Sequence, residues 1–178
     1  MIFEKSSEFC FPGIALLKEN ISKSTENRII TVRTEDNSGR TADCYGLFIR
    51  ELNELSIQTG IELAPTKEIT VPYSEDRAKE KSFLKELFHA YPEKNHIYMD
   101  ITYGTKLTAI EMFSSLCYAE TALNCNIKSV VYGKYPFDGG NSGELFDVSE
   151  LYHTVRFMET AAHMNKNCFL DLIEQLLC

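Results

Sequence analysis

The feature of this 178-residue chain that most restricts its fold is a change of hydrophobic period that recurs along its length. Short β-branched runs stand at "RIITVRT" (28–34), "EITV" (68–71), "HIYMDIT" (96–102) and "IKSVVYG" (127–133), with weaker ones at "MIFEK" (1–5) and "ELFDV" (144–148). Such side chains suit a pleated surface, and each run is too short to be a helix. Between them lie stretches of helical spacing. "PGIALLKENI" opens with a proline suited to a first turn, and "SEDRAKEKSFLKELF" begins with serine and acids, which favour a helix start. In "DCYGLFIRELNEL", Leu47, Ile49, Leu52 and Leu55 recur near helical spacing. Two more helices are predicted over 105–124 and 148–164, and an apolar "FLDLIEQLL" ends the chain.

The resulting order, β-α-β-α-β-α-β-α-β-β-α, predicts an α/β domain of three layers, with a mostly parallel six-stranded sheet and helices on both faces. Strand 96–102 is expected at its centre, because Ile97, Met99 and Ile101 alternate with Tyr98 and Asp100 between helical crossovers. In open sheets of this kind ligands bind beyond the carboxyl ends of the strands, where the strand order reverses. With the common order 3-2-1-4-5-6, that point falls between the first and fourth strands. The glycine-rich "YPFDGGNSGE" (135–144) is expected to join the last two strands.

Composition narrows the function. Apolar residues make up 44% and charged residues 25%, the profile of one autonomously folding soluble domain. A formal net charge of −8 argues against binding long nucleic acid, which needs a basic stripe. A small anion needs only a few backbone N–H groups and one or two cations, so it remains open. No window has the roughly 18 apolar residues of a membrane span, and "MIFEKSSEFC" lacks the pattern of a signal peptide, so a cytoplasmic protein without membrane contact is expected. Six cysteines (Cys10, Cys44, Cys117, Cys125, Cys168, Cys178) form no C-x-x-C pair and are read as reduced core thiols. His89, His96 and His153 have no sequence partners that suggest a metal site or a triad, and neither metal nor cofactor is expected.

Chemistry concentrates in "MDITYGTKLTAIEM" (99–112), between the fourth strand and the following helix. Gly104 can supply an unusual backbone angle, and Thr105 can cap the helix. The first free N–H groups would then face the crevice with the positive end of the helix dipole, beside the mobile cation of Lys106. If the first strand ends at Lys5, Ser6 and Ser7 would stand opposite Thr102 to Lys106. Such a site suits a phosphate or a ribose hydroxyl. A bland reading is equally compatible with the local residues: Thr105 as a mere cap, Asp100 satisfying loop N–H groups, Lys106 solvated. A Walker A loop is excluded by the missing first glycine and G-K pair, and no G-x-G-x-x-G follows a strand. The aspartyl-phosphate pattern Asp-x-Asp/Thr-Gly-Thr is interrupted here by Tyr103, which would change the turn that aims Asp100 as a nucleophile.

The string Asp100-Ile101-Thr102-Tyr103-Gly104-Thr105-Lys106, a long helix after it, and "VVYGKY" about 25 residues on resemble the CARF (CRISPR-associated Rossmann fold) domains. In many of these a strand ends in Asp-x-Thr-x-Gly-x-Arg/Lys and the next ends in Tyr-Gly. The resemblance implies a Rossmann-like fold over 1–164 with a helical tail over 165–178. It also implies a homodimeric sensor of a cyclic oligoadenylate second messenger, cyclic tetra-adenylate being favoured over hexa-adenylate, with a fused or separate effector. The implied ligand-binding residues are Ser6, Ser7, Thr102, Tyr103, Gly104, Thr105, Lys106, Tyr132 and Gly133. The lysine at 106, where many relatives have arginine, keeps the charge and loses the planar fork.

A separate effector domain does not fit in the 14 residues after Met164. Arg156 and His163 form R-x6-H, within the spacing of HEPN ribonuclease motifs, but that chemistry needs a multi-helix domain and packing is the favoured role. Three functions stay in view: a binding module, a ring nuclease and a dehalogenase-like phosphatase. The ring nuclease would cleave the messenger without metal through 2′-hydroxyl attack, with Lys106 as the candidate catalytic residue stabilising charge. The phosphatase would use Asp100.

Overall fold

Alternating apolar periods produce six strands and five helices among the residues that the computed structural model describes, namely 2–3, 10–24, 26–35, 40–72, 77–134 and 144–162. In chain order these are β1 (Ile2–Phe3), α1 (Pro12–Asn20), β2 (Ile29–Glu35), α2 (Arg40–Thr59), β3 (Pro65–Pro72), α3 (Arg77–Ala90), β4 (His96–Asp100), α4 (Lys106–Leu123), β5 (Asn126–Lys134), β6 (Glu144–Asp147) and α5 (Ser149–Ala161). The expected α/β class and element order are therefore present. The loop expected over 135–144 and the tail over 165–178, with His163, Cys168 and Cys178, lie outside the described residues, apart from Glu144, which begins β6.

The sheet differs from expectation. The described ladders make a four-stranded sheet in the order β1-β6-β5-β4 and a separate parallel pair, β2-β3, instead of one six-stranded sheet. β4 and β5 run parallel, β6 returns antiparallel along β5, and its outer edge takes β1 antiparallel. The first strand is thus separated from β4 by β6 and β5, and the supposed switch point between them is absent from the described pairing. β6 leaves its outer backbone groups open, and that edge is where a two-residue strand finds partners.

Pairing of Asp100 with Val131 and of Tyr132 with Phe146 sorts the side chains by alternation. Asp100, Val131 and Gly133 share one face; Met99, Val130 and Tyr132 share the other. α1 covers the first, its Gly13 N–H reaching Asp100 at 2.7 Å. α4 and α5 cover the second: Leu116, Ala119 and Tyr152 join Ile97, Met99, Ile127 and Val130 in one buried cluster. Ile69 and Val71 of β3 and Phe83 and Leu87 of α3 extend that cluster, so the two sheets share a core without sharing a ladder. Within it Tyr91 Oη and Ser115 Oγ bond each other at 2.6 Å, which satisfies both buried hydroxyls. A second cluster, Ile14, Leu52, Leu55 and Leu63, joins α1 to α2.

Three local expectations change. Leu47 does not belong to the buried line of α2 and is 41% exposed, because the line runs through Phe48, Leu52 and Leu55 at helical spacing. Cys10 and Cys44 are exposed, not core thiols, since they precede α1 and sit on the outer face of α2; Cys125 is buried and Cys117 half-buried. β4 ends at Asp100, earlier than expected, because the Asp100 side chain accepts the Thr102 N–H at 2.9 Å and bends the chain out of the ladder.

Arg156 has a packing role. Its Nε donates to Glu120 at 2.7 Å, Nη2 to Thr121 at 3.0 Å, and Nη1 to Glu159 and to Cys117 Sγ, so α5 is clamped onto α4. Tyr152 Oη donates to the same Glu120 at 2.9 Å. Truncation leaves Glu120 partly buried without its cation. Arg156→Ala is expected to lose about 1–3 kcal/mol of stability, read from urea unfolding, with faster amide exchange in α5 and no loss of ligand affinity.

Candidate functional site

The turn after β4 is built by one carboxylate. Asp100 Oδ1 accepts the Thr102 N–H and hydroxyl, while Oδ2 accepts the Gly13 N–H at 2.7 Å. Gly13 belongs to the first turn of α1, where N–H groups lack intrahelical partners and where Phe11, the N-cap, offers no side-chain acceptor. Asp100 therefore caps a helix 87 residues away in sequence. Thr102 Oγ1 passes the connection on by accepting the Gly133 N–H at 2.8 Å. Strand β4, strand β5 and helix α1 thus meet at one aspartate.

Two glycines make the meeting sterically feasible. A Cβ on Gly13 would lie 3.1 Å from Asp100 Oδ2, and one on Gly133 would lie 2.6 Å from Pro12 Cγ. Gly104 serves conformation instead of clearance, since its φ of 106° is one that side-chain-bearing residues rarely adopt. The turn it makes delivers Thr105 as the N-cap of α4, accepting the Thr108 N–H at 3.1 Å. Thr105 and Thr108 hydroxyls also bond each other at 2.8 Å.

Across the turn stands the start of α1. Glu51 of α2 accepts the Cys10 N–H at 2.7 Å and the Phe11 N–H at 3.2 Å, fixing this segment from below. It also hydrogen-bonds the Cys10 thiol, which raises the pKa of that thiol and keeps it protonated. Tyr103 Oη donates to the Cys10 carbonyl at 2.9 Å, and its ring lies 5.1 Å from that of Phe11. The Asp100 carboxylate thus lies at the positive end of the α1 dipole, and Tyr103 ties the turn before α4 to the segment before α1.

Of the residues singled out in the sequence, Thr102, Tyr103, Gly104, Thr105 and Lys106 form this turn, and Gly133 joins it through Thr102. Gly104 and Lys106 are exposed and Tyr103 is 46% exposed. Tyr132 is on the opposite face from Gly133, its ring 6.5 Å from Phe146. Ser6 and Ser7 lie outside the described residues, and the strand that was to carry them to the turn is on β6. Sequence reasoning missed Gly13 and Glu51, which fix the segment opposite the turn. Gly13 left a trace, a glycine directly after the first-turn proline where no bend requires it; Glu51 left none.

With both oxygens of Asp100 engaged by three donors, it organises the turn and is poorly disposed to attack phosphorus. Burial pushes its carboxyl above the ordinary 3.8, against hydrogen bonds from Thr102 and Gly13 that favour the charge. The chain matches no protein-family model and no curated protein sequence.

Asp100→Asn must turn an N–H pair toward a donor, and should cost about 1–3 kcal/mol in urea unfolding while exposing the Gly13 amide to exchange. Because the folded pKa is raised, the stability tied to this group is full below 3.8 and is lost as pH rises through the folded value. The deficit of Asp100→Asn is accordingly expected to be larger at acid than at neutral pH, measured against the parent at each pH.

Proposed function

We propose that this chain is a CARF-type sensor, Rossmann-like in fold, that binds a cyclic oligoadenylate across the two-fold axis of a homodimer, cyclic tetra-adenylate in preference to hexa-adenylate. The observation that carries this reading is the turn Thr102–Lys106. It presents the start of a long helix, an exposed lysine and a half-exposed tyrosine on a turn whose base Asp100 and Thr102 fix. The Lys106 and Leu107 amides belong to the first turn of α4 and have no intrahelical acceptor, so they suit a phosphate oxygen. Lys106 adds a positive charge, and Tyr103 offers a ring face on which a base can stack.

The residues just beyond Lys106 support a dimer. Leu107 is 37% and Ile110 62% exposed on the first turns of α4, an apolar stretch immediately beside the cation. An isologous contact along this stretch brings two copies of the turn to one axis, where equivalent halves of a symmetric ring meet the same groups twice. No described helix is long and apolar enough to cross a membrane.

Lys106→Ala is expected to weaken cyclic tetra-adenylate binding by roughly tenfold or more in calorimetry, the loss of a charge-assisted contact at each half of the ring. Unchanged affinity would place the site elsewhere. Incubation of the parent with radiolabelled messenger separates sensing from ring cleavage: intact ring after hours at stoichiometric protein leaves binding alone, whereas linear product lost in Lys106→Ala assigns that lysine to charge stabilisation.

A further inference from the structure

Toward the start of β2 and β3 the sheet carries charge where its core-facing pattern predicts apolar side chains. Along β3, Lys67 shares the face of Ile69 and Val71, which are buried in the main cluster. Ile30 pairs with Lys67 and Val32 with Ile69, so this part of β2 faces the core as well, and Arg28 stands two residues before Ile30. The core-facing rows of both strands thus end in cations. There the sheet and α3 border an open cleft of about 690 Å³, within the range of small-molecule sites. Its apolar lining is the partly buried Ile30 and Ala90. From α3 it takes Ser82, Lys85, Glu86 and His89, one stripe at helical spacing.

The ladder beside the cleft is irregular. It passes from Ile29 opposite Pro65 to Ile30 opposite Lys67, leaving Thr66 as an extra residue in β3. Such bulges are rare in parallel pairs and recur beside functional sites, where they re-aim side chains. Both Thr66 and Lys67 line the cleft, although successive residues of a regular strand point to opposite faces. The Thr66 hydroxyl donates to the Ile29 carbonyl at 3.1 Å and pins the bulge to β2.

Charge indicates the ligand. Arg28 is offset by Glu26 at 2.8 Å, but Lys67 and Lys85 have no ion-pair partner among the described residues. Two uncompensated ammonium groups, one from the sheet and one from α3, line a single cleft in a chain of net charge −8, and they suit a phosphate. Glu86 on the same stripe offers acceptors for hydroxyl groups. We propose that this cleft binds a phosphorylated sugar, free or as a nucleoside monophosphate. Lys67 and Lys85 hold the phosphate, Glu86 accepts sugar hydroxyls, and Ile30 and Ala90 take the apolar side of the ring. The cleft shares no residue with the turn at Lys106, and its assignment does not rest on the reading above.

Calorimetry of the full chain against ribose 5-phosphate and, separately, adenosine 5′-monophosphate tests this, at about 0.15 M salt to screen unspecific attraction between exposed charges. Saturable one-to-one binding is expected, weakened roughly tenfold by Lys67→Ala and by Lys85→Ala. Glu86→Ala should weaken ribose 5-phosphate and leave inorganic phosphate unaffected. All three side chains are exposed, so urea midpoints should stay at that of the parent. Tighter binding of the nucleotide assigns Ile30 and Ala90 to its base, whereas equal or weaker binding makes the free sugar phosphate the ligand. No saturable heat with either compound overturns the proposal, as does affinity unchanged in both lysine variants. Lys106→Ala should bind both compounds as the parent does; binding lost there places the phosphate on the α4 turn and overturns the cleft while supporting the reading above.

Discussion

The architecture around the turn depends on one carboxylate held between the start of α1 and the turn that follows its own strand. Asp100 lies at the end of β4, takes the free N–H of α1 on one oxygen, and bends its own chain through Thr102 with the other. Removing a carboxylate from water is costly, and three donors, one of them at the positive end of α1, offset that cost only in part. The same bonds that satisfy the charge also set the register between α1, β4 and β5. An aspartate so fully engaged as a tie is poorly disposed to act as a nucleophile.

Those groups follow from local rules. Gly104 and Thr105 could be read directly as a turn and a cap, and α4 begins at Lys106 as the pattern suggests. The strands β4 and β5 were equally legible from their β-branched alternation. Pairing was not: β1 is two residues long, and which edge it joins depends on β6, more than 140 residues away, and on no local propensity. Register and strand order are set by the whole molecule, and a periodic pattern carries only the face each side chain takes.

The candidate site shows the same division. Lys106, Tyr103 and Thr102 stand in one short string and were visible in it. Gly13 and Glu51 come from α1 and α2, and each acts through a hydrogen bond that sequence spacing does not encode. Arg156 is the converse case. Its spacing to His163 fits a ribonuclease motif although packing was the favoured role, and its guanidinium is engaged by Glu120, Glu159, Thr121 and Cys117, partners legible only once α4 and α5 are side by side.

That clamp makes α4 a strut between the turn and α5. The helix has 18 residues, about 27 Å at 1.5 Å per residue. One end carries Lys106 and the turn; Cys117, Glu120 and Thr121, near the other end, grip α5 through Arg156. Because Thr108, Ser115, Leu116 and Ala119 are buried along its length, the helix is bedded on the core between those two ends, and its first turn and its grip on α5 are parts of one packed body.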